Sequence, residues 1–152
     1  MCYNETEKLR RVWDKHMKQE FWLQIASADT VQRIPIVLCT DEKSDITVLY
    51  LDRNGKRIAV TGDSTENTLC RLNQILGDNW KIHSCYTCRY GHFCPLGDLD
   101  NEIFCITDFE PKSKEDLLKV TENPTERAKR LRTLFDVCAD FQPCSEQYFT
   151  YK

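Results

Sequence analysis

Nine cysteines are spread along the chain, and three of them fall within ten residues in the stretch SCYTCRYGHFCPLGD, residues 84 to 98. Read from Cys85 the spacing is C-x2-C-x5-C-x10-C, with Cys88, Cys94 and Cys105 as its later members. A C-x2-C turn brings two sulfurs to one point, which is the recurring half-site of zinc and of iron-sulfur centres. Cys94 can return to that point through the short loop at Gly91. Strand alternation around Cys105 sets Ile103 and Cys105 on one face and Phe104 and Ile106 on the other. With the latter pair in the core, Cys105 turns toward the C-x2-C turn and supplies a fourth ligand.

Zinc in a structural role takes four tetrahedral N or S ligands, and these residues offer either Cys85, Cys88, Cys94 and Cys105 or three of them with His92 or His83. Cys144, near the C-terminus, is a spare ligand. Structural zinc sites usually pair two knuckles, whereas the second pair here is separated by ten residues; iron-sulfur clusters tolerate such uneven spacing. The proline after Cys94 resembles the Cys-Pro of bacterial ferredoxins. The C-x2-C-x5-C portion, about ten residues, also resembles a ligand segment of the auxiliary cluster domains of radical-SAM enzymes. The C-x3-C-x2-C segment of the radical-SAM core is absent. These likenesses imply an iron-sulfur cluster on the same four cysteines as the alternative cofactor. A third reading is a redox dithiol at Cys85 and Cys88, since Cys85 follows a predicted strand. That chemistry places C-x2-C at the start of a helix, and RYGHFCPLG is a poor helix. The remaining reading is a cysteine-rich loop with free thiols and no ligand.

Composition narrows the setting. A chain of 152 residues with 41% hydrophobic residues, 7 Phe, 6 Tyr and 3 Trp buries a substantial core and is not disordered as a whole. A formal charge of −3 argues against general attraction to nucleic acid or to an anionic membrane. No run approaches the length of a membrane span, and the N-terminal stretch is charged where a signal peptide needs an apolar segment. The expectation is a cytoplasmic protein, in which clustered cysteines bind metal or react rather than form disulfides. The sequon at Asn4 then carries no meaning.

Patterning predicts an α+β fold in one domain over residues 1–152. It has a small mixed or antiparallel sheet of about four or five strands, three to four helices, and the Cys-rich segment 83–105 inserted between two strands. An amphipathic helix is expected from Asn4 to about Glu20, with Leu9, Val12, Trp13, Met17 and Phe21 on one face. IPIVLC (34–39), ITVLYL (46–51) and RIAV (57–60) read as strands, the last two joined by an Asn-Gly hairpin turn. Two are almost continuously apolar, which predicts a sheet covered on both faces. Asp63 or Ser64 caps a helix with Leu69, Leu72, Ile75 and Leu76 inward and Gly77 at its C-terminal cap. WKIHS (80–84) and EIFCITDF (102–109) read as strands into and out of the cysteine segment. Asn123 and Pro124 open a long helix with Ala128, Leu131, Leu134, Phe135 and Cys138 on one face.

Other polar groups have simpler readings. His16 and Glu20 lie four apart on the first helix, an arrangement more typical of a hydrogen-bonded core pair than of ligands. Cys39 and Cys138 read as small hydrophobes, and Cys70 borders a buried helix face. Asp98, Asp100 and Glu102 form an acidic turn beside the cysteines, available to orient ligands. The basic run ERAKRLR (126–132) shares its helical face with Asp136 and Asp140, which does not make a nucleic-acid stripe. EQYFTYK at the C-terminus packs back on the domain or docks elsewhere. There is no G-x-G-x-x-G, P-loop, H-E-x-x-H, G-x-S-x-G or zinc-deaminase pattern, so no catalytic residue is assigned. The chain therefore reads as a small metal-binding protein with a structural four-cysteine zinc site and a protein partner.

Overall fold

The computed structural model describes residues 17–41 and 43–152. Its framework is an antiparallel meander: β1 (Met17–Ala26), β2 (Val31–Asp41), β3 (Ile46–Arg53) and β4 (Lys56–Gly62). β1 corrects the expected first helix where the two overlap, because residues 17–20 are strand; the rest of that expected helix, with His16, lies outside the described residues. Phe21, Leu23 and Ile25 alternate with Trp22 and Gln24, a period-two pattern that commits the segment to a sheet. All ten residues of β1 pair with β2, from Met17 with Thr40 to Ala26 with Val31. A ladder of that length outweighs a short helical repeat at its start.

Register assembles one apolar face. Leu23 lies opposite Ile34, Ile36 opposite Leu51, Leu38 opposite Leu49, and Leu49 opposite Val60, so these side chains emerge together. Residues 47 to 51 of β3 are buried without a break, and a second cluster of Cys39, Val48 and Tyr50 occupies the other face. Both faces of the central strand are thus covered, as its apolar run predicts. The β3–β4 hairpin closes through Asn54 and Gly55 with φ of 52° and 73°, left-handed at both central residues, as a two-residue turn of this kind requires.

Helix α1 (Thr65–Ile75) lays Leu69 and Leu72 into the main core, and Leu76 follows them. Its first turn is capped by Ser64, whose hydroxyl accepts the Asn67 N–H at 3.1 Å, and Gly77 follows the helix with φ of 80°. Ile75, expected to face inward, is 57% exposed, since the buried stripe is only as wide as Leu69, Leu72 and Leu76. β5 (Lys81–Ile82) then pairs with β1, completing the order β4-β3-β2-β1-β5.

The chain next builds a smaller sheet beside this core, of β6 (Gly91–His92), β7 (Ile103–Cys105) and β8 (Leu131–Arg132) in the order β6-β7-β8. Between β7 and β8 lie α2 (Lys114–Thr121) and α3 (Pro124–Arg130). Asn123 caps α3 and Pro124 opens it, as its sequence indicates. The helix stops at Arg130, seven residues long rather than continuing to Cys138. Leu131 turns extended and pairs with Phe104, giving the edge of β7 a partner. Leu134 and Phe135 still reach the core from the following turns, with the Phe135 ring stacked on Phe21 at 4.6 Å. Among the described residues no helix is long and apolar enough to cross a membrane.

Leu49 is fully buried at the centre of the ladder. Leu49→Ala should therefore lower the unfolding free energy by about 2–5 kcal/mol in denaturant titration; a loss below about 1 kcal/mol would contradict this core.

Candidate metal centre

The Cys85–Cys88 turn is held by its own backbone and by the end of the chain. Residues Cys85–Thr87 form a single 3-10 turn, in which the Cys85 carbonyl accepts the Cys88 N–H at 3.3 Å. The Cys88 carbonyl accepts the Gly91 N–H at 3.1 Å, which starts β6 immediately. The Thr87 hydroxyl donates to the Ile82 carbonyl at 2.7 Å, tying the turn to the end of β5. Gly91 is required sterically: a Cβ there would collide with the Cys85 carbonyl and crowd Ile103. Because Gly91 pairs directly with Cys105, Cys105 stands on the same face of the small sheet, over the turn. Three of the four expected ligands, Cys85, Cys88 and Cys105, thus belong to one neighbourhood.

The electrostatics reflect that grouping. The Cys85 thiol is pushed up to about 12, first by burial and then by the neighbouring Cys105, Asp136, Cys88 and Cys138. Cys105 is raised by burial and by Cys138 and Cys88, while Arg132 and Arg130 act in the opposite direction. Cys138 is the member that sequence pattern missed: its helical stripe suggested a small core hydrophobe, but it lies beyond the end of α3 and is exposed. The Cys85–Cys88 pair sits on a 3-10 turn rather than at the start of an α-helix, where dithiol redox sites place theirs.

The other expected ligands lie elsewhere. His92 pairs with Phe104 and so faces away from Gly91 and Cys105. It is buried, stacks at 6.3 Å on Phe149 and accepts the Tyr151 N–H on Nδ1 at 3.2 Å. Burial, then the Lys152 charge, lowers it to about 4, so it is a neutral acceptor. His83 stacks on Phe141 at 3.6 Å and is also held down by burial. Cys144 donates its N–H to the Thr87 carbonyl at 3.1 Å beside a Cys88–Pro143 bridge, which puts its side chain on the Thr87 face rather than the Cys88 face. Its sulfur accepts from the Lys152 ammonium at 3.2 Å. Cys94 is buried at the start of the CPLGD turn, where its N–H donates to the Asp98 carboxylate at 2.8 Å. Among the described residues no three His, Cys, Asp or Glu side chains stand in an arrangement that could hold a metal ion. The thiols are neighbours whose side chains would have to close on an ion.

The acidic turn has structural work of its own. Asp100 accepts both the Thr65 N–H at 2.9 Å and the Thr65 hydroxyl at 2.5 Å, capping α1 from a distance. Asp98 and Glu102 border a cleft of about 710 Å³ whose lining also includes Asp41, Asp45, Asp63, Glu66 and Asp100, and, among the described residues, no Lys, Arg or His. Asp98 is raised to about 6, mainly by burial and then by Glu102 and Glu66, against the Cys94 N–H and Arg127. Its Oδ1 is buried without a hydrogen-bond partner.

The C-terminal tail packs back on the domain. Tyr148 lies 3.1 Å beneath the Arg89 guanidinium, and the Tyr151 carbonyl accepts the Phe93 N–H at 2.7 Å. Arg89, Tyr90 and Phe93 are partly buried and His92 is buried, so these four residues do not form an open contact surface. No protein-family model, curated protein or solved structure matches the chain.

Two outcomes follow from this geometry. Gly91→Ala should cost about 1–3 kcal/mol of stability, since the added methyl must displace the Cys85 carbonyl; an unchanged denaturation midpoint would refute the packing. Asp98 takes up its proton at higher pH folded than unfolded, where the usual value is about 3.9. Folded protein therefore holds the extra proton between about pH 4 and 6, stability falls as pH rises through that window, and the penalty is complete above it. Asp98→Asn, which keeps an acceptor for Cys94, should raise stability at pH 7 by about 1 kcal/mol after solvent screening, with little change at pH 4. An equal effect at both pH values would refute it.

Proposed function

We propose that this protein is a small metal-binding module in which Cys85, Cys88 and Cys105, with a fourth thiolate, hold a structural zinc ion. The spacing names Cys94 as that fourth ligand. The observation that carries the reading is the convergence of Cys105 on the Cys85–Cys88 turn through its pairing with the side-chain-free Gly91. Such a site suits a segment with little regular structure: β6 and β7 are two and three residues long, too short to fix the intervening loops by ladder bonds alone. A tetrathiolate zinc centre carries a net charge of −2, and a few cations lie near these thiols, although Arg130 is also paired with Asp108 and Glu126. Arg132 and Arg130 act on Cys105, and the Lys152 ammonium donates to the Cys88 carbonyl at 2.7 Å. All eight cysteines among the described residues are free thiols.

The module's partner is a protein. Leu96 in the CPLGD turn and Leu99 just after it are 65% and 74% exposed, and Leu99 lines the carboxylate-lined cleft. An apolar pair edged by carboxylates suits a partner face that is apolar and basic.

Protein purified anaerobically without chelator should contain one zinc per chain and no visible absorbance. Cys88→Ser should lose the metal and melt several degrees lower, as should wild type after chelation. Iron with sulfide and a broad visible band would replace zinc by a cluster on the same thiolates. A metal-free wild type whose melting is indifferent to added zinc would overturn the reading.

A further inference from the structure

We propose that residues 1–16, the stretch leading into β1, dock across the second face of the meander and cover Cys39, Val48 and Tyr50 through Leu9, Val12 and Trp13. This inference is independent of the metal-site reading.

Register defines that face. Cys39 lies opposite Lys18 on β1 and Val48 on β3, while Tyr50 lies opposite Val37 on β2 and Ala59 on β4. Alternation sends these side chains away from the main core, because their neighbours Leu38, Leu49 and Val60 point into it. Cys39, Val48 and Tyr50 are nonetheless only 4%, 3% and 6% exposed. Among the described residues, Val37 is the one further hydrophobic residue packed against them, and it belongs to the same face. α1, the small sheet and the chain end join the main core through Leu69, Ile103 and Phe135, on the other side of the meander. A sheet face buried to this degree needs a second layer over it. Outside the described residues the chain has only 1–16 and 42, and a single residue does not make a layer.

The covered zone is narrow. On the same face Lys18, Glu20 and Trp22 of β1 are exposed, as are Ala59 and Thr61 of β4. Burial is thus confined to β2 and β3, whose axes run about 5 Å apart. One helix, about 10 Å across, spans such a strip.

Chain connection and sequence pattern select the occupant. The segment enters β1 at Met17, opposite Thr40 and next to the Lys18–Cys39 pair, so it starts beside the buried strip. Residues 1–16 reach about 24 Å even if wholly helical, well beyond the two strand spacings from β1 to β3. β1 takes Met17 and Phe21 out of the expected helical stripe, since alternation turns both toward the main-core side, where Phe21 packs. Leu9, Val12 and Trp13 keep the i, i+3, i+4 spacing of one helix face, an apolar edge suited to a strip two strands wide.

The test uses the full chain. In native wild type, Cys39 should alkylate at least about a hundredfold more slowly than the exposed Cys70, as a thiol beneath a packed layer does. The double variant Leu9→Asp, Trp13→Asp places charge in the contact. It should speed Cys39 alkylation at least about tenfold while the Cys70 rate and cooperative melting are kept. A second readout needs no variant to fold: nuclear Overhauser cross-peaks between the Val48 methyls and the Trp13 ring, arising within one chain in a sample that mixes differently labelled protein. If the double variant fails to fold, these cross-peaks decide. Cys39 as reactive as Cys70 in wild type, protection unchanged in a folded double variant, or no cross-peak from Trp13 to Val48 would overturn the proposal. Cross-peaks arising only between chains would overturn it too, making a second copy the occupant. None of these readouts depends on bound metal.

Discussion

Cys85 joins the two halves of the molecule. Its side chain is part of the main core with Ile82, Ile103, Leu134 and Phe135, its N–H is taken by Asp136, and its carbonyl closes the turn on Cys88. The meander and α1 provide a wall rigid enough to hold that residue; everything after β5 is arranged around it. Gly91 has to be a glycine because it rests on the Cys85 carbonyl, Cys105 takes its position from Gly91, and the chain end returns to bond the same turn. A displacement of Cys85 would therefore be felt in the core, in the small sheet and in the C-terminal segment together, since packed interiors transmit strain.

The meander was legible because each of its strands carries a local signal: the apolar run of β3, the Asn-Gly turn before β4, the Ser64 cap and Gly77 around α1. β1 was misread because Leu9, Val12, Trp13, Met17 and Phe21 fit a helical stripe, and at Met17–Phe21 two periodicities overlap. Only pairing with β2 decides between them, and that partner lies too far along the chain for a local pattern to report. The long helix after Asn123 failed for a related reason. Its cap and first turn are correct, but Leu131 is claimed by Phe104 across the small sheet, a tertiary demand that helix propensity does not register.

The candidate site divides in the same way. Cys85 and Cys88 are evident from spacing, and Cys105 from strand alternation, because both are local geometries. His92 and His83 looked equivalent to ligands in sequence, yet each is committed to an aromatic stack, and His92 also to the Tyr151 N–H. Cys138 carried no signal at all. Its proximity to Cys85 depends on backbone bonds from residues 134–136 and 142–144 to 85–89, which no spacing rule anticipates.

The formal charge of −3 conceals a division of charge between two sides of the molecule. Carboxylates from β2, the start of α1 and the 98–102 turn collect on one side, at the cleft. Guanidinium groups collect near the small sheet, where Arg130 grips Asp108 through two bonds of 2.6 and 2.8 Å and still acts on Cys105. β6 and its flanking turns run between these regions, with Cys88 at one end and Cys94 at the other. The same short strand therefore has Cys88 at one end, on the turn that the Gln142–Cys144 segment bonds, and Cys94 at the other, in a turn organised by Asp98.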